Sequence, residues 1–279
     1  MNDSLPHPST RRASLLAAAA LLVFPCHRSG ADPIPTDFQA KNSGCQAGTL
    51  HGQNGWNVRV QAPANSGFTV VPGTGLELTP NTGGTHAVAY AFINDKETLV
   101  GRDNFPGGMP LSLAVNFVIK WTGPAAKAPI LGVGWGLYVP VDMNNLPFAA
   151  ELVRDSGQGG YRLVLFRQGD KTEVTGETSV AIPEEALGFK DSGFSDPLQL
   201  SFTLTNQGTP HEWSSVSMLT NLATKKVFVL RNTMVAPEVY KTDDLVRAIV
   251  NRRRFSEDGL DSVTIIKLDD EVTPDPSAQ

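Results

Sequence analysis

Long stretches of the chain alternate apolar residues with polar or small ones. The clearest stretch, LSLAVNFVIKW over 111–121, is apolar at every odd position, and LQLSFTLT over 198–205 is apolar at every even position. Successive side chains of a β-strand lie on opposite faces of its sheet, so this period of two predicts strands with one face in a core. We expect the core to include Trp56, Phe117, Phe202 and Ile265.

Shorter runs separated by turn residues extend this pattern through the chain. The run from His86 to Phe92 alternates in the same way, and we assign its even positions, including Tyr90, to an apolar face. Gly, Asp and Asn cluster between runs, and the segments 73–75, 168–170 and 220–224 are predicted hairpin loops. The stretch LHGQNGWNV over 50–58 is interpreted as a turn that delivers Trp56 into a sheet, with a ligand platform as the alternative.

Helix signals are confined to two short segments. Thr242 to Asp244 can cap a helix with Leu245, Ala248 and Ile249 on its inner stripe and three arginines, 252–254, at its C-terminal end. A one-turn helix is predicted over 183–187. The fold class predicted is therefore all-β: a two-sheet antiparallel sandwich or jelly roll with one short helix near the C-terminus.

The first 31 residues have the layout of a secretory signal peptide. Arg11 and Arg12 precede an apolar run over 13–24, and small residues follow at 29–31. We expect removal of 1–31, which leaves a single domain over 32–279 with a flexible tail at 272–279. Ordinary and twin-arginine export both stay open. The predicted localisation is secreted, periplasmic or cell-envelope, without membrane insertion after cleavage.

The charge balance narrows the choice of partners. The chain has 23 basic and 28 acidic residues, a formal net charge of −5. An acidic chain is a poor match for nucleic acid or for an anionic membrane surface, so we predict no nucleic-acid partner.

Four short stretches resemble a known family. They are TDFQ over 36–39, GTLHGQNGW over 48–56, GTGLEL over 73–78 and DSVTI over 261–265. They are similar to the concanavalin A-like lectin/glucanase and laminin-G-like jelly rolls of secreted environmental bacterial proteins. The resemblance implies that the first strand pairs near the last. It does not imply one function, because this fold carries lectins, hydrolases, lyases and surface modules.

The motifs expected of the enzymes with this fold are not found in the sequence. The resemblance implies acidic residues at i, i+2 and i+4 for a hydrolase, and a Gln-x-His strand for a lyase. We find neither Glu-x-Asp-x-Glu, nor a near variant, nor Gln-x-His. His51, His86 and His211 have no metal-ligand spacing. The sequence therefore predicts no catalytic residues.

A glycine-rich run offers a candidate binding surface. In LGVGWGLY over 131–138, three glycines fall on one face of a predicted strand and can leave a shallow trough for a sugar ring. A trough filled by a neighbouring aromatic side chain is the alternative. The predicted ligand-binding residues, on the polar faces of this strand and two others, are Asn116, Lys120, Tyr138 and either Tyr161 or Arg162.

The resemblance also implies a structural calcium ion. In such modules oxygen ligands come from the first and last strands, where Asp37 and Asp261 stand in this chain. No other cofactor is expected.

The sequence thus predicts a secreted, non-catalytic β-sandwich that binds a polysaccharide. Two alternatives stay open: a structural cell-surface module without a small ligand, and a divergent glycoside hydrolase or polysaccharide lyase.

Overall fold

The structure is a computed structural model of the chain. It describes residues 36–39, 45–53, 56–61, 67–79, 87–93, 110–120, 127–138, 148–155, 160–167, 173–207, 212–235, 245–254 and 262–269. All of these belong to one compact unit, Asp32–Gln279. The predicted signal peptide, the tail and the loop 168–170 lie outside the described residues.

The described residues form strands joined by turns and one 3-10 helix. The strands are β1 Thr36–Asp37, β2 Gly48–Thr49, β3 Trp56–Gln61, β4 Gly67–Val71, β5 Gly75–Thr79, β6 Ala87–Ile93, β7 Pro110–Lys120, β8 Lys127–Tyr138, β9 Phe148–Asp155, β10 Gly160–Arg167, β11 Glu173–Thr175, β12 Ser179–Pro183, β13 Leu198–Asn206, β14 Glu212–Asn221, β15 Val227–Val235, β16 Leu245–Arg254 and β17 Ser262–Asp269. The 3-10 helix, Glu184–Leu187, confirms the predicted single helical turn.

Two antiparallel sheets contain all of these strands. A ten-stranded sheet has the order β11-β15-β14-β13-β7-β17-β5-β4-β2, with β1 paired to β17. A seven-stranded sheet has the order β12-β10-β9-β8-β16-β6-β3. The predicted all-β sandwich is confirmed. In the part of the chain that the structure describes, no helix is long and apolar enough to cross a membrane.

The core lies between the inner faces of the two sheets. On β7, Leu113, Val115, Phe117 and Ile119 are all fully buried, as their alternation predicts. The even positions of β13 are buried in the same way. The seven-stranded sheet supplies the other wall of the core with Leu131, Val133, Phe148, Ala150, Leu152, Tyr161, Leu163 and Leu165.

The turn before β3 has a structural role. Trp56 is 1% exposed, and its ring centroid lies 6.3 Å from that of Phe38. The side-chain amide of Gln53 organises the turn, since its Oε1 accepts from the Gln46 N–H at 2.6 Å and its Nε2 donates to the carbonyl oxygens of Thr49 and Gln46. The interpretation of Trp56 as a core anchor is therefore confirmed.

Two further turn predictions are confirmed. Gly73 and Gly75 join β4 to β5 with φ of 77° and 137°, which are values that glycine adopts most easily. The segment 220–224 joins β14 to β15 as a hairpin. The predicted pairing of the first strand with the last is also observed, with Asp37 opposite Lys267.

The helix predicted near the C-terminus is wrong. Residues Leu245–Arg254 form β16, which pairs with β8 on one side and β6 on the other. A central strand gains backbone hydrogen bonds along both edges, and β-branched Val246, Ile249 and Val250 suit a sheet. Tertiary pairing therefore overrides the capping signal at 242–244. The three arginines lie in a strand.

A buried polar cluster fixes the connection between the two sheets over 184–197. Asn221 Nδ2 donates to Asp196 Oδ2 at 3.1 Å and to the carbonyl oxygen of Ala186. Lys190 Nζ lies 3.1 Å from Asp196 Oδ1. The hydrogen bonds from Asn221 and Lys190 lower the pKa of the Asp196 carboxyl below its ordinary value. The cluster anchors the chain where it passes from β12 to β13.

Candidate functional site

The glycine face of β8 lies on the outer side of the seven-stranded sheet. Leu131 and Val133 are fully buried in the core, so the alternating positions between them belong to the opposite face. Gly132 pairs with Glu151 of β9, and Gly134 pairs with Ala149. The outer face therefore carries glycines on β8, as the alternation of the run predicts.

The absence of a side chain at Gly134 has a structural cause. A Cβ at this position would lie 2.3 Å from the Phe148 carbonyl oxygen and 2.6 Å from Ala149 Cα. Gly134 is thus explained by the close approach of β9, which leaves no room for a side chain at this point. The trough itself stays a prediction.

The predicted site residues do not share one surface, which corrects the expectation that their strands are neighbours. Asn116 and Lys120 lie on β7, in the ten-stranded sheet, whereas Tyr138, Tyr161 and Arg162 lie in the seven-stranded sheet. Asn116 Oδ1 accepts a hydrogen bond from Gln199 at 3.0 Å. Lys120 Nζ lies 5.4 Å from the centroid of the Phe194 ring. The two sheets separate these groups because the core lies between them.

Tyr161 belongs to the core and not to a binding surface. It is 1% exposed, and its register partners on either side are Arg154 and Ile182, which are also buried. The Arg154 guanidinium carbon lies 5.9 Å from the Tyr161 ring centroid, and the Phe189 ring stacks at 6.1 Å. Of the two alternatives on β10, Arg162 is therefore the residue on the outer face.

Tyr138 and Arg162 share the outer face but lie far apart. Tyr138 ends β8, six residues beyond Gly132. On β10, Val164 pairs with Glu151 and so lies in the same row as Gly132. Arg162 lies two residues from Val164, in the direction opposite to Tyr138, so eight residues separate the two positions. At about 3.3 Å per residue the two positions are separated by about 26 Å along the strands. Arg162 donates a hydrogen bond to the Ser179 hydroxyl of β12.

The register brings a different set of polar residues together. Arg59 pairs with Tyr90, Tyr90 with Asn251, Asn251 with Gly132, and Gly132 with Glu151. These residues form one row across β3, β6, β16, β8 and β9, and the next row holds further basic residues. We define the polar band as Arg59, Tyr90, Glu151, Arg162, Asn251 and Arg253.

Tyr90 in this band corrects a prediction about β6. Its even positions were assigned to the apolar face, but the core residue Trp56 pairs with Ile93, and Val58 with Ala91. Since direct partners share a face, the odd positions of β6 belong to the core side. Small alanines thus lie on the inner face, while Val88, Tyr90 and Phe92 lie on the outer face.

Strand β9, which contributes Glu151 to the band, carries two buried carboxylates outside the core. Glu151 is 1% exposed and Asp155 is 9% exposed, and both lie on the outer face of β9. All eight residues of β9 are buried, so other parts of the chain pack over the two carboxylates, and a ligand that binds them has to displace that cover. Burial of a carboxylate costs free energy unless other groups compensate for it. Each of the two has an interaction partner in the structure, and as carboxylates held away from the apolar core they mark a candidate site among the described residues.

The sequence analysis missed this carboxylate pair. FAAELVRD over 148–155 does not alternate cleanly, because both faces of β9 are buried. Glu151-x-Val153-x-Asp155 keeps the first and last acidic positions of the pattern sought on one strand and has valine at the middle position. The spacing of i and i+4 on one strand was the signal that could have found it.

The structure describes one of the two predicted calcium ligands, Asp37. Asp37 is exposed, and its Oδ1 accepts a hydrogen bond from the Gln39 N–H at 2.9 Å. Asp261 lies outside the described residues. Among the described residues, no group of three or more His, Cys, Asp or Glu could hold a metal ion.

No protein-family model matches the chain, and no curated protein matches it. Among solved structures it is similar to lectin II from Ulex europaeus, at 7% identity over 79% of this chain and 94% of that one, with a TM-score of 0.45. It is also similar to the VIP36 exoplasmic/lumenal domain in a Ca2+/Man-bound form, at 11% identity over 88% and 93%, TM-score 0.47. A third is the CBM2 module of Lactobacillus casei BL23 phage J-1 evolved Dit, at 12% identity over 84% and 92%, TM-score 0.48.

The solved structures similar to the chain include lectins with concanavalin A-like jelly rolls, the fold that its sequence resembles. At these identities and scores they carry no information about activity. The fold of this chain is established by its own two antiparallel sheets.

Proposed function

We propose that the chain is a carbohydrate-binding β-sandwich and that a glycan binds along the polar band. One observation carries this proposal: Glu151 and Asp155 are buried carboxylates on the outer face of a central strand, away from the core. A few fixed polar groups beside aromatic and apolar residues are what a sugar-binding site requires. The leader predicted over 1–31 supports a location outside the cytoplasm.

The register supplies complementary groups within reach of one ligand. Asn251 and Glu151 flank Gly132, one strand away on each side, so their Cα positions are about 10 Å apart. Gly132 has no side chain between them. Tyr90, next to Asn251 on β6, offers an aromatic ring, and a carboxylate and an amide bind sugar hydroxyls.

A matched pair of variants tests the proposal. Binding of a panel of polysaccharides is measured by glycan array and then by calorimetry. We expect Glu151→Gln to weaken binding of the best ligand about ten-fold, because the variant loses charge-assisted hydrogen bonds of about 1.5 kcal/mol or more. Lys120→Ala, on the opposite sheet, should change the affinity less than about two-fold.

Circular dichroism serves as the control that both variants are folded. Loss of binding in Lys120→Ala with full binding in Glu151→Gln would place the ligand on the ten-stranded sheet. If no polysaccharide binds the wild-type chain, the structural-module alternative replaces this proposal.

A glycoside hydrolase is a second candidate function, favoured by one observation. Glu151 and Asp155 occupy positions i and i+4 on the same face of β9, with Val153 between them. Retaining hydrolysis needs two carboxyl groups about 5 Å apart. The Cα positions are about 13 Å apart, so the two side chains would have to lean towards each other.

Release of reducing sugar from the bound polysaccharide tests the hydrolase candidate. A hydrolase should lose activity by a factor of about a thousand or more in both Glu151→Gln and Asp155→Asn. A binding module gives no release above a no-protein blank, in the wild-type chain or in either variant.

A further inference from the structure

We infer that the glycan is anionic, a polysaccharide with carboxylate groups such as a polyuronate. This inference rests on the proposed function and names the ligand class of the same site. It is drawn from the distribution of charge over the two outer faces of the sandwich, which the strand register establishes.

Basic residues are concentrated on the outer face of the seven-stranded sheet. Within its strands that face carries five basic residues and only two acidic ones. The acidic residues are Glu151 and Asp155, and the basic residues are Arg59, Lys127, Arg162, Arg247 and Arg253.

The ten-stranded sheet has the opposite balance on its outer face. Within its strands three basic residues, Lys120, Arg231 and Lys267, lie among five acidic ones. The acidic residues are Asp37, Glu77, Glu173, Glu212 and Asp269. The whole chain has a net charge of −5, so the positive excess on the outer face of the seven-stranded sheet is opposite in sign to the charge of the chain. A charge bias of this kind attracts ligands of opposite sign.

Three of the arginines belong to the polar band itself. Arg59 lies in the row of Glu151, and Arg253 and Arg162 lie in the adjacent row, on β16 and β10. The guanidinium group matches the geometry of a carboxylate and forms two parallel hydrogen bonds with it. Several arginines spread over a row of strands suit an extended ligand with repeated carboxylates.

Nucleic acid is the other polyanion that such a face could bind. The chain is acidic overall, and the carboxylates of Glu151 in the band and of Asp155 beside it would repel a closely spaced run of phosphates. The hydroxyl groups of a polyuronate can donate hydrogen bonds to those carboxylates. The mixed character of the band therefore favours an acidic glycan.

The test compares ligands that differ only in charge. Binding of polygalacturonate and of its fully methyl-esterified form is measured by calorimetry, with single-stranded poly(U) as the nucleic-acid probe. We expect polygalacturonate to bind at least about ten-fold more tightly than the ester. Raising the salt concentration should weaken that binding several-fold, because salt screens the charges.

Variants of the full chain assign the effect to this face. Arg253→Gln and Arg59→Gln should each weaken polygalacturonate binding about five-fold, and Arg253→Lys, which keeps the charge but not the paired hydrogen bonds of the guanidinium group, should weaken it less than Arg253→Gln does. Arg231→Gln, on the ten-stranded sheet, is the matched control and should have no effect. Circular dichroism checks that each variant is folded.

The outcomes separate this inference from the proposal beneath it. Equal binding of the ester and the free acid, or an equal loss in Arg231→Gln, overturns the anionic ligand and leaves glycan binding standing. Poly(U) binding that Arg253→Gln abolishes overturns it in favour of nucleic acid. If neither the acid nor any neutral polysaccharide binds, the proposed function itself fails.

Discussion

Replacing Phe117 with Ala should lower the free energy of unfolding by about 3 to 5 kcal/mol. Phe117 is fully buried on β7, and its direct neighbours on the two adjacent strands, Leu198 and Ile265, are fully buried as well. Truncation removes a large apolar group from a site that strands hold on both sides, so the cavity can close only in part. Urea denaturation followed by fluorescence measures the change.

Val118→Ala is the matched control for this prediction. Val118 is the next residue on the same strand and lies half-buried on the outer face. We expect it to cost less than about 1 kcal/mol. Equal losses in the two variants would contradict the assignment of Phe117 to the buried face of β7 and of Val118 to its outer face.

Gly75→Ala should cost about 2 to 4 kcal/mol, from two causes that add. The backbone of Gly75 has a φ of 137°, and a residue with a side chain is strained at this angle. A Cβ at this position would also lie 2.4 Å from the carbonyl oxygen of Ile265, on the neighbouring strand β17. That oxygen belongs to the sheet backbone and cannot move without disturbing the pairing of β5 with β17.

Gly73→Ala separates these two causes. Gly73 also has a positive φ, of 77°, but nothing lies within 4 Å of its Cβ position. The strain alone should cost about 1 kcal/mol. Thermal melting of both variants gives the comparison, and a Gly73→Ala loss as large as that of Gly75→Ala would contradict the role assigned to Ile265.

Strand periodicity predicted the core well because its signal is local. Phe117, Phe202 and Trp56 each stand in a run where one face is apolar, and each is buried as expected. The predicted helix at 245–254 failed for the opposite reason. That segment pairs with β8 and β6, which are remote in sequence, and no local pattern indicates those partners.

The candidate site could not be predicted for the same reason: the sequence does not show which strands pair with one another. Alternation told which residues of a strand share a face, but not which sheet the strand joins. Asn116 and Tyr138 were therefore grouped although the core separates their sheets. Glu151, Tyr90 and Asn251 fall in one row only because of the way four strands pair, which the sequence does not show. The outer face of β9 could not be recognised from alternation, because both faces of this strand are buried.

The central claim is that the ligand surface is the outer face of the seven-stranded sheet. A crystal structure of the chain grown with the oligosaccharide that binds most tightly tests it directly. We predict electron density for the sugar along the polar band, within hydrogen-bonding distance of Glu151 and Asn251. Sugar density on the ten-stranded sheet, beside Asn116 and Lys120, would contradict the claim.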